Sequence, residues 1–208
     1  MTKQHTLHKR GFTLIELLVV TAIIVVISGV VLANNNKFGG KVALDNLAYD
    51  IALTLRQVQG RGISTARSTN LRFNTGFGMH FVTNASAYTT YDDSNGDGAY
   101  STDETIPPSP YNIRQGYKVG LLCVIENNGN KVCGYSTVDV WFSRPEPDAC
   151  IGVNGEESSI RNGDKVSCAP GSQGRRACIE VLSPRGDNMY VVVEASGQIA
   201  VQSAACGT

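Results

Sequence analysis

The sequence predicts an α+β protein in which a long N-terminal helix, apolar first and amphipathic after, packs on an antiparallel β-sheet head. Three observations carry this. An unbroken apolar run fills 12–33, and an apolar period of three and four follows over 41–58. Beyond Gly62 the helical period gives way to short β-rich stretches with Gly-rich connections, which fits an antiparallel sheet better than βαβ units.

Residues 12–33 read FTLIELLVVTAIIVVISGVVLA. As a helix they extend about 33 Å, the hydrocarbon thickness of a bilayer. Lys3, Lys9 and Arg10 precede the run with no acid among them, which places the N-terminus in the cytoplasm and the rest outside. An ordinary secretory signal has a shorter apolar core followed by a small-residue cleavage site, so this run reads as an anchor. Glu16 is the anomaly within it. A carboxylate at that depth either has a specific partner or snorkels to the headgroups.

The rest of the chain fits that placement. Its 208 residues are 42% hydrophobic, enough for one globular core. The 18 basic and 18 acidic residues balance, so the chain beyond Arg10 is acidic by three and has no general attraction for nucleic acid. Six cysteines, Cys123, Cys133, Cys150, Cys168, Cys178 and Cys206, include no C-x-x-C pair. Of three histidines, His5 and His8 lie in the basic N-terminus, so a zinc site would depend on scattered thiols and His80. Disulfides in an oxidising compartment are the better reading. Cys123–Cys133 is the expected pair, because Asn127-Asn128-Gly129-Asn130 between them reads as a hairpin turn.

Lys9-Arg10-Gly11-Phe12-Thr13-Leu14-Ile15-Glu16 resembles the class III signal of type IV prepilins and type II secretion pseudopilins. The resemblance implies a basic leader, 1–11, that prepilin peptidase cuts between Gly11 and Phe12, followed by N-methylation of Phe12. The segment 12–33 then stays as a transmembrane and assembly helix. Glu16 becomes the fifth mature residue, the family's place for a carboxylate that pairs with a neighbouring subunit's terminal amine. Such a pair joins two charges otherwise stranded in hydrocarbon and sets axial register in a filament. The implied partners are other pilin or pseudopilin subunits, the peptidase and the inner membrane. The protein would be single-pass there, with its head extracytoplasmic, before entering a pilus or pseudopilus.

Outside the membrane, Asn34-Asn35-Asn36 and Gly39-Gly40 predict a kink or melted turn. An amphipathic helix then continues through 34–62 into the head, with Leu44, Leu47, Ala48, Ile51 and Leu55 on one face. Gly60 and Gly62 are expected to end it. The head is 63–208, with strands predicted near 71–73, 79–83, 117–126, 131–142, 177–182, 189–194 and 198–202. The Pro-, Gly- and Ser-rich segment 143–176 reads as a long surface excursion for Cys150 and Cys168 to tie down. The helix end Leu55-Arg56-Gln57-Val58-Gln59 and the closing run Val191 to Ile199 are similar to minor pilins and pseudopilins of the GspH/FimT type. Some members of that group bind DNA through arginines in a terminal Gly-Arg-x-Arg stretch. Here Gly197-Gln198-Ile199-Ala200 stands instead, and Gly174-Arg175-Arg176 reads as a solvated loop, so nucleic acid is not an expected partner.

Residues 93–104, DSNGDGAYSTDE, match the calcium-loop pattern D-x-[DN]-x-[DN]-G-x5-E at every specified position. Asp93, Asn95 and Asp97, the Ala99 carbonyl, Ser101 and Glu104 are the expected oxygens for one Ca²⁺, and Gly98 supplies the sharp turn. The bland reading is an acidic turn. Tyr88 to Tyr91 before the loop look β-like, and Ile106-Pro107-Pro108 after it forbid a long helix, so a strict EF-hand is not expected.

Two signals are set aside. Arg185-Gly186-Asp187 spells an adhesion tripeptide, but after Pro184 it reads as a plain turn. His80, between Met79 and Phe81, reads as structural. With no nucleophile elbow, HExxH or phosphate-cradling loop in the sequence, the chain is read as a non-enzyme. The leading function is a structural subunit, a minor pilin or pseudopilin. The alternatives are a filament-tip module that binds DNA, a surface or a cell ligand through a calcium-stabilised head, and a signal-anchored calcium-binding protein that never assembles.

Overall fold

A computed structural model describes residues 11–64, 75–126, 129–144, 147–154 and 176–206, without the side chains of 33–38. The chain divides into two units, 1–40 and 41–208. One helix, α1 (Leu14–Ile63), begins in the first and ends in the second.

Thr13 caps α1. Its hydroxyl accepts the Glu16 N–H at 3.3 Å, a donor the helix cannot satisfy itself, and its carbonyl accepts the Leu17 N–H at 3.2 Å as the first bond of the helix. Leu14–Leu32 is long and apolar enough to cross a membrane, with none of it buried within the chain. No melted turn interrupts 34–40, since α1 runs through it. Asn and Gly each cost about 1 kcal/mol or less inside a helix, and propagation from established helix on both sides outweighs that local preference. The helix ends at Ile63, one residue beyond the expected Gly62. A Cβ on Gly62 would stand 2.5 Å from the Phe142 carbonyl oxygen, so this glycine permits close approach of helix to sheet.

In the second unit all strand pairing among the described residues is antiparallel. The strands are β1 (Gly76–Val82), β2 (Ala87–Asp93), β3 (Tyr111–Asn112), β4 (Lys118–Ile125), β5 (Lys131–Cys133), β6 (Thr137–Phe142), β7 (Ala149–Val153), β8 (Arg176–Leu182), β9 (Asn188–Glu194) and β10 (Ile199–Gln202). They form two five-stranded sheets, ordered β3-β2-β1-β6-β7 and β10-β9-β8-β4-β5. Leu44, Ala48, Ile51, Leu55 and Val58 of α1 are buried in one core with Met79 and Val140 of the first sheet and Leu122, Ile179 and Val191 of the second. Each of these side chains larger than alanine contributes about 1.5–3 kcal/mol by leaving water.

Two strand expectations change, and a third is untested. The run 131–142 is two strands in different sheets, because Gly134, at φ 93°, turns the chain between them. The excursion 143–176 contains β7, whose Ala149, Cys150 and Ile151 are buried beside β6. The expected strand 71–73 lies outside the described residues. Cys123 is joined to Cys133 and Cys178 to Cys206. Cys150 is also disulfide-bonded, and Cys168 lies outside the described residues.

Candidate functional site

Two places hold the residues that the sequence singles out. At the N-terminus, Gly11 and Phe12 precede α1 in exposed, non-helical chain. Phe12 is 84% exposed, and nothing lies within 4 Å of where a Gly11 side chain would start. The peptide bond between them is therefore open to an enzyme. Glu16 occupies the third helical position, where a carboxylate complements the unpaired N–H groups of the first turn. Its side chain is exposed and available to a second molecule. The Thr13-x-x-Glu16 spacing is that of a capping box.

The second place is the loop 93–104. Asp93 ends β2, and the chain returns along the same strand, with Tyr91 bridged to Thr105 and the Ile106 N–H donating to the Thr90 carbonyl at 3.0 Å. The loop is thus pinched at its base. Inside it the side chains fold inward. Asp93 Oδ1 accepts the Gly96 N–H at 2.8 Å and Oδ2 the Gly98 N–H at 3.2 Å. Asn95 Oδ1 accepts the Asp97 N–H, and Asp97 Oδ1 the Ala99 N–H, each at 2.9 Å. A single 3₁₀ turn, Thr102–Glu104, swings Glu104 back across the loop. Glu104 Oε1 accepts the Ser94 and Asn95 N–H groups at 2.9 and 3.1 Å, and Oε2 the Ser101 N–H at 3.1 Å. Both Asp93 and Glu104 are fully enclosed by the fold.

Enclosing like charges has a cost that shows in their protonation. Burial first, then the Glu104 and Asp97 charges, push Asp93 from 3.8 up to about 6, against the lowering effect of the Gly98 and Gly96 N–H groups. Burial likewise raises Glu104, opposed by the N–H groups of Asn95, Ser101 and Ser94. The loop is therefore rich in enclosed oxygen. Its donors, carboxylates, an amide oxygen, a carbonyl and a hydroxyl, are of the hard class that suits Ca²⁺, so the residues fit that ion. Among the described residues no three His, Cys, Asp or Glu side chains converge on one point, since these oxygens are turned onto the loop's own N–H groups.

The loop rests on a buried aromatic and charged network that the sequence does not announce. Tyr100 lies against the His80 ring at a centroid distance of 4.5 Å and meets Tyr91 edge-on at 5.6 Å. His80 Nδ1 is 2.7 Å from Oδ1 of the buried Asp139, its cross-strand neighbour. Tyr91 is enclosed, and burial followed by the Asp139, Asp93, Glu104 and Asp97 charges holds its hydroxyl well above the usual tyrosine range. Trp141, the single tryptophan, packs against Gly98, where a Cβ would stand 2.8 Å from its indole nitrogen. His80 and Asp139 lie 59 residues apart, and the alternation of β1 alone could not show that they pair.

Of the remaining candidates, Arg185-Gly186-Asp187 is the exposed tip of the β8–β9 hairpin. There the Ser183 hydroxyl oxygen accepts the Arg185 and Asp187 N–H groups. Gly197, at φ 81°, makes the β9–β10 turn, and its carbonyl accepts a hydrogen bond from Gln59.

Comparison with known proteins bears on the first place. Residues 7–32 match the prokaryotic N-terminal methylation motif, which supports a type IV pilin-like N-terminus. No curated protein and no solved structure matches the chain.

Proposed function

We propose that this chain is a structural subunit, a minor pilin or pseudopilin of the GspH/FimT type, in a type IV pilus or type II secretion-like filament. The observation that carries the reading is the methylation motif at 7–32 on a chain whose Gly11–Phe12 bond is exposed just before an apolar, membrane-length helix. On this reading the precursor waits in the inner membrane with its N-terminus cytoplasmic. Prepilin peptidase removes 1–11 and methylates Phe12, and the helix is drawn into a bundle while Glu16 pairs with a neighbour's terminal amine. The exposed Glu16 side chain and the cap that fixes its helical position support that role. Mass spectrometry of protein from its host should find a mature chain that starts at methylated Phe12, and Glu16→Ala should abolish incorporation into filaments. A mature chain retaining Lys9-Arg10-Gly11 would refute the reading in favour of a plain signal anchor.

The same proposal assigns one Ca²⁺ to Asp93, Asn95, Asp97, the Ala99 carbonyl, Ser101 and Glu104. There the ion would stiffen an extracytoplasmic loop, and the enclosed carboxylates of Asp93 and Glu104 support it. Isothermal titration should show one site filled at or below millimolar Ca²⁺, the range of extracellular modules. No heat at that concentration would refute it.

A further inference from the structure

The face of the second sheet opposite the main core carries a cluster of its own. Cys123, Cys178 and Cys206 are buried there with Val192, and Ile125 and Tyr190 pack against them. Leu122, Val124, Ile179 and Val191, which alternate with them along β4, β8 and β9, point into the main core instead. Strand register puts the cysteines in one row. After a bulge at Gly120 and Leu121, β4 pairs with β8 in regular register from Leu122 to Ile125, and Cys123 faces Cys178. On its other side Cys123 faces Cys133 of β5. Directly opposite residues of antiparallel strands share a side of the sheet, so Cys123 stands between two other cysteines.

The backbone pattern allows either neighbour to be its partner. The Glu126 N–H donates to the Asn130 carbonyl and the Gly134 N–H to the Leu122 carbonyl. By the alternation of an antiparallel ladder, Cys123 and Cys133 then form a non-hydrogen-bonded pair, and Cys123 turns its own N–H and carbonyl to Cys178. The Cα atoms of such a hydrogen-bonded pair stand about 5.5 Å apart, a common separation for a disulfide. The bonds present join Cys123 to Cys133 and Cys178 to Cys206. Of these four residues only Cys133 is exposed, so a reagent from solvent meets the row there. Cys206 reaches the row from beyond β10, after the exposed Ser203, Ala204 and Ala205.

We infer that Cys123 is an exchange point, through which a dithiol that opens the outer bond moves the inner one and frees the C-terminal tail. One thiolate of the dithiol attacks Cys133 Sγ, the Cys123–Cys133 bond breaks, and Cys123 leaves as a thiolate. The reagent's second thiolate attacks its first sulfur, which closes the reagent into its own disulfide and leaves Cys133 as a thiol. Cys123 then attacks Sγ of its cross-strand neighbour Cys178. The Cys123–Cys178 bond forms, the Cys178–Cys206 bond breaks, and Cys206 is released. In sum the dithiol is oxidised, its two protons finish on Cys133 and Cys206, and one of the two protein disulfides remains. The β4–β8 ladder favours the new pair, because it holds both partners at high effective concentration while Cys206 departs on an exposed tail. The tail thereby loses its covalent tie to the sheet. This inference rests on register and burial and is independent of the filament reading.

The test treats the full chain in detergent, under native conditions, with too little dithiothreitol to reduce both bonds. Acid stops exchange, free thiols are alkylated in denaturant, and the unreduced tryptic peptides are read by mass spectrometry. Cleavage after Lys131, Arg176 and Arg185 puts Cys123, Cys133, Cys178 and Cys206 on separate peptides. The expected species joins the Cys123 and Cys178 peptides, carries label on Cys133 and Cys206, and has lost the Cys178–Cys206 link. Label on Cys123 and Cys133 with Cys178–Cys206 intact would overturn the inference. So would label on Cys178 and Cys206 with the outer bond intact, or loss of both bonds with no exchanged species. Cys133→Ser gives a second reading without reductant. It leaves Cys123 without its outer partner from the start, so the isolated variant should carry the Cys123–Cys178 bond and a labelled Cys206. A labelled Cys123 beside an intact Cys178–Cys206 bond in that variant would refute the exchange.

Discussion

In chelator, one side chain should add stability to the head on going from neutral pH to mild acid, against the trend of ordinary acid denaturation. The cause is Asp93. Its carboxyl titrates near 3.8 in unfolded chain and at about 6 in the fold. A folded value above the unfolded one means that the native state holds the proton more tightly, so stability is fully present below the unfolded value and lost as pH rises through 6. Between pH 7.5 and 5 this one group should add about 1.4 kcal/mol, from the two titration curves. The assay is urea unfolding of the full chain in detergent with chelator, followed by Trp141 fluorescence, since Trp141 packs on Gly98 of the loop. Because other carboxylates titrate too, the quantity to compare is the pH dependence of the wild type minus that of Asp93→Asn. Millimolar Ca²⁺ should reverse the sign, because it favours the ionised form. Identical pH dependence in wild type and Asp93→Asn would refute the reasoning.

Other substitutions probe the scaffold. Gly78→Ala drives a methyl into the buried Tyr91 ring, with Cε1 only 2.5 Å away, and should cost about 2 kcal/mol or more, seen as a lower urea midpoint. Gln59→Ala removes the amide that donates to the Pro147 and Gly197 carbonyls at 3.0 and 2.9 Å, for a loss of about 1–2 kcal/mol in the same assay. Replacing both Cys123 and Cys133 with serine opens a short loop and should cost about 3 kcal/mol, with unchanged far-ultraviolet circular dichroism below the transition.

The features legible in the sequence are those whose cause is local. The apolar length of 12–33 and the three-and-four spacing of Leu44, Ala48, Ile51 and Leu55 need only the chain's own period, and both describe α1. Local signals misled where a longer-range term outweighed them. Asn34-Asn35-Asn36 and Gly39-Gly40 are poor helix formers, yet helix on either side carries through them. The Pro and Gly around β7 hid a strand that pairing with β6 stabilises. At the loop, the ligand spacing was readable, but the inward folding of Glu104 onto Ser94 and Asn95 was not, because it depends on how the returning chain is pinned to β2. The His80–Asp139 pair, the Cys178–Cys206 bond and the bulge at Leu121 all depend on strand register, which no single segment encodes.

The end of α1 has a mechanical consequence. Within the head, Gln59 grips backbone ahead of β7 and in the β9–β10 turn, while Arg56 Nη2 donates to the Ile199 carbonyl at 3.2 Å. A pull along this part of the helix axis therefore loads both sheets at once, through several short bonds in shear that must give way together. The helix acts as a tie rod anchored at two points, so tension on it is shared between the sheets before either has to unzip.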